Sequence, residues 1–188
     1  MQKNPKAPTD SSPLDPGKVT TDVDPDVLAD DAKLWLAHDG LWFQAVERVY
    51  GTEVAIQMDI EAWQAFTVIE AKRIMKRLGL APGGGIEALA RALAERMYVR
   101  INEQAIVEQD EHRLVYHMQS CRVQSARQRK GLPDFACRPV GIVEYTGFAK
   151  TIDPRIETRC LGCPPDPAPE HAVCAWEFTL PRDSRGQS

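Results

Sequence analysis

Long hydrophobic runs are absent from this sequence. Its apolar stretches are far shorter than the roughly 20 residues that a helix needs to cross a bilayer. The first segment, MQKNPKAPTDSSPLDPGK, also lacks the hydrophobic stretch of a secretory signal peptide. The sequence therefore predicts a cytoplasmic protein with no membrane partner.

An excess of positive charge is missing too. The 188 residues include 23 Lys and Arg against 27 Asp and Glu, which gives a formal net charge of −4. Nucleic-acid-binding domains typically carry a basic patch and a high isoelectric point, so this balance predicts no nucleic-acid partner. Hydrophobic residues make up 43% of the chain, which is ordinary for a globular protein of one domain.

Large apolar side chains are scarce at the N-terminal end. Residues 1–24 are rich in Pro, Asp, Ser and Thr, and such a segment cannot bury enough apolar surface to offset the entropy lost on ordering. We expect a disordered tail at 1–24, a single domain at 25–181 and a second disordered tail at 182–188.

Within that domain the hydrophobic periodicity changes from helical to alternating. Helical spacing of apolar residues predicts three N-terminal helices, at 24–51, 52–80 and 86–97. Alternation over 99–121 predicts a hairpin, and Pro139 suits the first turn of a later helix. A second, cysteine-bearing hairpin closes the chain. The predicted fold class is α+β, with the N-terminal helices packed on a small antiparallel sheet made of two hairpins.

Cysteine is also scarce, with five in all, but three of them lie in the segment RCLGCPPDPAPEHAVCAW. In the cytoplasm, clustered cysteines are more often metal ligands or catalysts than disulfides. If the hairpin is symmetric about Pro167, Cys160 and Cys174 face each other across the strands, and Cys163 lies where a Cys-x-x-Cys knuckle would bind metal. Thiolates suit zinc or an iron–sulfur cluster. Inert buried thiols and a regulatory disulfide are the open alternatives.

A fourth ligand must come from elsewhere in the chain. Cys137 precedes Pro139 and is expected at a helix N-terminus, where the helix dipole lowers a thiol pKa. It is the favoured fourth ligand, or alternatively a nucleophile, while Cys121 and His171 remain open as substitutes. The predicted metal ligands are Cys137, Cys160, Cys163 and Cys174.

Two polar residues are candidate catalytic groups because they lie among apolar neighbours. His38 falls on the apolar stripe of the first helix, between Leu34 and Leu41, and Glu144 lies on the helix after Pro139. Both also fit ordinary structural roles, as a hydrogen-bonded core histidine and as a paired carboxylate. Glu70, on the stripe of the second helix, is a further candidate to pair with His38.

Several aromatic residues on the first two helices are expected in the core, where they would also wall an apolar pocket for a small-molecule ligand. They are Trp35, Trp42, Phe43, Trp63 and Phe66.

Three blocks carry a resemblance to known proteins: LWLAHDGLWFQAVERVYG, CRVQSARQRKGLPDFACRPVGIVEY and TRCLGCPPDPAPEHAVCAWEF. Together they resemble an uncharacterised family of small cytosolic bacterial proteins. The final block, with Glu157, Cys160, Cys174 and Phe178, is distantly similar to the closing motif of the vinyl-reductase small-molecule-binding domain. The helical half resembles the L-2-amino-thiazoline-4-carboxylate hydrolase-like family. These resemblances imply an α+β fold and make Cys160 and Cys174 candidate ligands.

The leading expectation is a cytosolic small-molecule-binding protein with a cysteine metal site that holds zinc or an iron–sulfur cluster. The alternative is a hydrolase that acts on a carbon–nitrogen bond of a small cyclic or amino-acid-like substrate. In that case metal-activated water or Cys137 is the nucleophile, and Glu144, His38 or His171 is the base. A third hypothesis is an iron–sulfur redox or sensing protein. A homodimer is an open alternative to a monomer.

Overall fold

The structure, a computed structural model, describes residues 24–181. Apart from Asp24, the predicted tails at 1–24 and 182–188 lie outside these residues. The helices are α1 (Pro25–Tyr50), α2 (Thr52–Leu78), α3 (Gly85–Leu93), a 3-10 turn (Met97–Arg100), α4 (Arg122–Arg129) and α5 (Arg138–Ile152). The strands are β1 (Gln104–Gln109), β2 (Arg113–Met118), β3 (Glu157–Gly162) and β4 (Cys174–Thr179). No helix in the described part of the chain is long and apolar enough to cross a membrane.

Local sequence signals explain where the long helices begin and end. Asp24 caps α1 by accepting a hydrogen bond from the backbone N–H of Asp26 at 2.9 Å. Gly51 has a φ of 89° and separates α1 from α2, and α2 ends at Gly79 in the left-handed conformation. Glycine adopts these dihedral angles without the steric cost that a side chain would impose.

The four strands form one antiparallel sheet in the order β1-β2-β4-β3. Each hairpin contributes one central and one edge strand, because β2 pairs with β4. This arrangement confirms the predicted α+β class with a sheet of two hairpins and a C-terminal hairpin that carries cysteine.

Helix α5 lies between the sheet and α2. A Cβ atom at Gly141 would come within 2.7 Å of the Trp176 ring on β4, and one at Gly147 would come within 2.6 Å of Thr67 on α2. Both contacts are closer than real Cβ atoms allow, so the absent side chains let α5 approach both neighbours. Thr67 adds a hydrogen bond from its hydroxyl to the carbonyl oxygen of Glu144 at 2.8 Å.

The register of the C-terminal hairpin differs from the symmetric one expected. Cys160 pairs with Trp176, and Cys174 pairs across the other edge of β4 with Met118. The prediction that Cys160 faces Cys174 is therefore wrong. Cys160 and Trp176 are symmetric about residue 168, so this hairpin is centred one residue later than Pro167, and a bulge between Cys160 and Gly162 adds an unpaired residue to β3.

The apolar residues of α1 are less buried than the sequence pattern suggests. Leu34, Leu41 and Trp42 are 67%, 61% and 63% exposed, whereas Trp35 stacks on Phe66 with ring centroids 5.4 Å apart. Helix α1 packs mainly against α2 and the 3-10 turn, so one side of it remains uncovered. His38 is exposed as well, and its predicted burial is wrong.

Candidate functional site

A cavity of about 410 Å³ opens between α1, α4, α5 and the sheet. Its volume lies within the range of roughly 300–1,000 Å³ that is typical of small-molecule sites. The aromatic side chains that line it are Phe43, Trp63, Tyr98, Phe135, Tyr145 and Trp176. Thiols and carboxyl groups both line this apolar space.

The outer wall of the cavity is held by contacts between α1 and the α4 region. The two guanidinium nitrogens Nη1 and Nη2 of Arg127 donate to the two carboxylate oxygens of Glu47, each at 3.0 Å. Such bidentate pairs are geometrically specific, and this one lowers the pKa of Glu47. The rings of Phe43 and Phe135 pack edge to face with centroids 4.9 Å apart.

Four of the five cysteines line the cavity: Cys121, Cys137, Cys163 and Cys174. Cys137 Sγ and Cys163 Sγ are 3.1 Å apart, and Cys174 is close enough to Cys163 to contribute to its raised pKa. We refer to Cys137, Cys163 and Cys174 as the thiol cluster. All of them are free thiols, and Cys163 is 1% exposed.

Cys137 has the most polar surroundings in the thiol cluster. It is the N-cap residue of α5, and the Nε2 of Gln124 approaches its sulfur at 3.7 Å. The Gln124 side chain is held in place because it donates to the carbonyl oxygen of Phe135 at 2.8 Å and accepts from the N–H of Phe135 at 2.9 Å. The hydrogen bond with Cys163 lowers the pKa of Cys137.

The neighbouring thiols are shifted in the opposite direction. Hydrogen bonding to Cys137, and then to Cys174, raises the pKa of Cys163. Burial raises the pKa of Cys121 to about 11. Cys137 is therefore the thiol on the cavity wall whose surroundings favour its thiolate form.

The sulfur positions test whether the predicted metal site fits. Two thiolates on a tetrahedral zinc with Zn–S bonds of about 2.3 Å lie about 3.8 Å apart, which is wider than the 3.1 Å between Cys137 and Cys163. Within residues 24–181, no group of three or more His, Cys, Asp or Glu is arranged to hold a metal ion. Zinc or iron–sulfur binding therefore stays a prediction, and the observed geometry is that of thiols in contact with one another.

Glu144, a carboxylate that lines the cavity, forms an ion pair with a buried arginine. Arg96, which is 1% exposed, lies 2.6 Å from Glu144 and 2.9 Å from Glu70 through its side-chain nitrogens. We call these three residues the arginine cluster. Burial alone would lower the pKa of Arg96, but the charges of Glu144 and then Glu70 raise it well above its usual value. Four aromatic rings surround the guanidinium at 4.8–6.0 Å: Trp63, Tyr98, Tyr145 and Phe148.

Two further carboxyl groups, Asp39 and Asp59, line the cavity near this cluster. Burial, and then the nearby charges of Asp39 and Glu144, raise the pKa of Asp59 to about 7. Burial also raises the pKa of Asp39, although His38 opposes the shift. Across residues 24–181 neither aspartate forms an ion pair with a Lys or Arg side chain. This part of the cavity is therefore rich in carboxyl groups, and their raised pKa values favour the protonated form.

The structure separates the sequence-predicted site residues into two groups. Glu144, Cys137, Cys163 and Cys174 line the cavity, and burial raises the pKa of Glu144 despite its pairing with Arg96. The others lie outside the cavity lining: Cys160 is partly buried beside Trp176, and His38 and His171 are exposed.

Sequence reasoning missed Arg96, Asp39 and Asp59. A usable signal existed for Arg96, because Glu70 on a buried stripe requires a cationic partner. That partner is Arg96, and it replaces the expected pairing with His38. Asp39 and Asp59 gave no comparable signal, since both occur in helices with many other acidic residues.

Comparison with known proteins gives a family and nothing narrower. No curated protein and no solved structure matches the chain significantly. A family model described as "Family of unknown function (DUF6125)" matches residues 18–180, which is most of the sequence. The chain belongs to this family of unknown function, DUF6125.

Proposed function

We propose that this protein binds a small organic molecule that carries a basic nitrogen, in the cavity between α1, α4, α5 and the sheet. The observation that supports it is an apolar, aromatic cavity lined by two carboxyl groups, Asp39 and Asp59, that form no ion pair with a Lys or Arg side chain within residues 24–181. A protonated amine is attracted both by carboxylates and by the faces of aromatic rings. The cytoplasmic location expected from the sequence belongs to this proposal.

Four basic residues also line the cavity: Arg122, Arg127, Arg129 and Lys130. Arg127 donates to Glu47 and to the carbonyl oxygen of Pro133, and Lys130 donates to the side-chain oxygen of Gln44 at 2.9 Å. Arg122, Arg129 and Lys130 are exposed, whereas Asp39 and Asp59 are partly buried, so the proposed charge preference rests on the two aspartates. The aromatic walls provide most of the contact area, while the carboxyl groups supply orientation and charge preference. A ligand of this kind would enter with its charged nitrogen towards Asp59.

A matched pair of probes tests the proposal. We expect 2-phenylethylamine to bind at pH 7.5 about tenfold more tightly than 2-phenylethanol, since the two differ mainly in the charged group. The measurement is isothermal titration calorimetry, with thermal-shift assays as support. Asp59→Asn combined with Asp39→Asn should abolish the difference between the two probes.

A pair of surface substitutions controls for location. Ala37 is exposed and lines the cavity, whereas Ala62 is exposed on α2 and lies outside its lining. Ala37→Trp should weaken amine binding about tenfold because the indole occupies cavity volume, and Ala62→Trp should leave it unchanged. Equal binding by the two variants, or no binding of either probe at millimolar concentration, would refute the proposal.

The metal part of the sequence prediction has its own test. The thiol cluster and Cys121 offer four sulfurs on one cavity wall, and soft thiolates favour zinc or an iron–sulfur cluster. The protein would be purified without a tag or chelator and its metal content determined by elemental analysis. About one metal per chain, lost in Cys174→Ser, would support a site at these thiols. A metal-free and fully folded protein would contradict it.

A hydrolase is the second candidate, and Cys137 is the observation that favours it. This thiol has a lowered pKa, lines the cavity and lies on the same helix as Glu144. The thiolate would attack the carbon of a carbon–nitrogen bond, and the departing nitrogen would take a proton from a carboxyl group such as Asp59. Water would then release the product from the sulfur. The distant likeness to the L-2-amino-thiazoline-4-carboxylate hydrolase-like family belongs to this candidate, as the likeness to the vinyl-reductase domain and a bacterial origin belong to the first.

The probe for this activity is 2-amino-thiazoline-4-carboxylate, with loss of the ring followed by mass spectrometry. Cys137→Ser should lower the turnover by at least about 100-fold, because a hydroxyl in the same place is a much weaker nucleophile. Cys160→Ser, outside the cavity, is the matched control. Absence of turnover in the wild-type protein, or equal turnover in both variants, would remove this candidate for this substrate.

A further inference from the structure

Two free thiols that line the cavity, Cys137 and Cys163, are in contact with each other. The 3.1 Å between Cys137 Sγ and Cys163 Sγ exceeds the S–S bond length of about 2.05 Å by roughly 1 Å. A small side-chain movement would therefore bring them within bonding distance. Both residues line the cavity, but they differ in access, because Cys137 is partly exposed and Cys163 is 1% exposed. One thiol can be reached by a molecule in the cavity, and the other can reach the first thiol.

The surroundings of Cys137 suit a sulfur that carries negative charge. The Cys163 thiol lies 3.1 Å from its sulfur, where either thiol can donate, and the Gln124 amide donates to it at 3.7 Å. Phe135 holds that amide in place on both sides. As the N-cap of a helix of 15 residues, Cys137 also lies at the positive end of the helix dipole. Thiolates in such positions are the nucleophilic form that attacks peroxides and disulfides.

We propose that Cys137 and Cys163 form a dithiol that reduces organic hydroperoxides entering the cavity, with Cys137 as the attacking sulfur and Cys163 as the resolving one. The inference rests on the two sulfurs and their surroundings, and it does not depend on the amine ligand proposed above. An organic hydroperoxide is favoured because the walls in front of Cys137 are apolar and aromatic, including Phe135 and Trp176.

The reaction balances in two steps. The Cys137 thiolate attacks the terminal oxygen of the hydroperoxide, so that an S–O bond forms, the O–O bond breaks and the alcohol leaves with a proton from solvent. The Cys163 thiol then loses its proton and attacks the sulfur of Cys137, which forms the disulfide and releases water. The dithiol is oxidised by two electrons and the hydroperoxide is reduced by two. A small dithiol reductant would restore both thiols by exchange.

The test uses the full chain, reduced and desalted without oxygen, and one equivalent of cumene hydroperoxide. Intact-mass spectrometry should show a loss of about 2 Da per chain, and peptide mapping should place the new bond between Cys137 and Cys163. One equivalent of cumyl alcohol should appear at the same rate. Because the mapping is done on wild-type protein, the outcome does not depend on any variant folding.

Variants then assign the two roles. Cys163→Ser should stop at a sulfenic acid on Cys137, which dimedone traps, and Cys137→Ser should consume the hydroperoxide at least about tenfold more slowly. Cys160→Ser removes a partly buried thiol outside the cavity and should behave as wild type. Circular dichroism confirms that each variant is folded.

Several results would overturn the proposal. They are a bond between another pair of cysteines, oxidation of Cys137→Ser at the wild-type rate, and conversion of Cys137 to a sulfonic acid without any disulfide. A protein that retains about one metal per chain with unreactive thiols would overturn it as well, because coordinated sulfurs would then explain the clustering.

Discussion

Helix α5 contributes to two buried polar groups of different character. Near its middle, Glu144 belongs to the arginine cluster, where a cation meets two carboxylates and aromatic rings enclose them. At its start, Cys137 belongs to the thiol cluster, whose members contact one another and an amide but no charged partner. The first arrangement pairs its one cation with two carboxylates. The second leaves a nucleophilic thiol facing the cavity. The comparison suggests that the arginine cluster stabilises the fold, whereas the thiol cluster is available for chemistry.

The largest expected effect comes from breaking the arginine cluster. Arg96→Met leaves Glu70 and Glu144 without their cation, and removal of one partner from a buried ion pair typically costs about 3–5 kcal/mol. Urea denaturation followed by tryptophan fluorescence measures the loss in the free energy of unfolding. Arg77→Met is the matched control, because Arg77 pairs with Glu95 on the surface, where the expected cost is below about 1 kcal/mol. Similar losses in the two variants would show that the cluster has no special structural role.

An intermediate effect is expected at Asp59, whose carboxyl group lines the cavity. Burial, and then the charges of Asp39 and Glu144, raise its pKa. In the folded protein its pKa is about 7, against about 3.9 when unfolded, so the folded state binds more protons between these values. The free energy of unfolding should therefore fall as pH rises from about 4 to 7 and level off above that. Asp59→Asn should remove this fall and be about 1–3 kcal/mol more stable than wild type at pH 8.

Unfolding curves at several pH values measure this effect. Glu61→Gln, which neutralises an exposed carboxylate on the same helix, provides the comparison and should preserve the wild-type pH dependence. An Asp59→Asn curve that runs parallel to wild type across the range would show that the cavity does not hold a proton on this group.

The smallest effect is expected in the thiol cluster. Cys163→Ser places a hydroxyl where a thiol contacts two others, and we expect a stability loss of about 1 kcal/mol, since hydrogen bonds to Cys137 and Cys174 remain available. Urea denaturation under reducing conditions measures it. If Cys163→Ser lowered the free energy of unfolding as much as Arg96→Met does, the two clusters would not differ. The sulfurs would then have a structural role, such as binding a metal.

The sequence was sufficient to predict the fold class and most of the elements, although the third helix, expected at 86–97, ends at Leu93. Asp24 at the cap of α1, Gly51 between α1 and α2, and Pro139 in the first turn of α5 are local signals, and each acts there in the structure. Alternating residues predicted the first hairpin, and the segments on either side of a proline-rich loop predicted the second. Local chemistry determines such features, so a single sequence contains them.

The site depended on longer-range geometry and was only partly predictable. The thiols of Cys137 and Cys163 come together because α5 begins beside the end of β3, which the spacing of a Cys-x-x-Cys motif does not reveal. The C-terminal hairpin is centred on residue 168 and not on Pro167, so Cys160 pairs with Trp176, and it lies outside the cavity lining. Exposure of Leu34 on α1 was equally hidden, since periodicity identifies an apolar side but not what covers it.

The close approach of Gly141 to Trp176 has a consequence for what the cavity can hold. A helix packed this closely on a strand has no room to slide, so Cys137 and Glu144, seven residues apart on α5, keep fixed positions relative to the sheet. Seven residues of helix correspond to about 10 Å along the axis. A ligand that contacts Cys137 and Glu144 at the same time must therefore span about this distance.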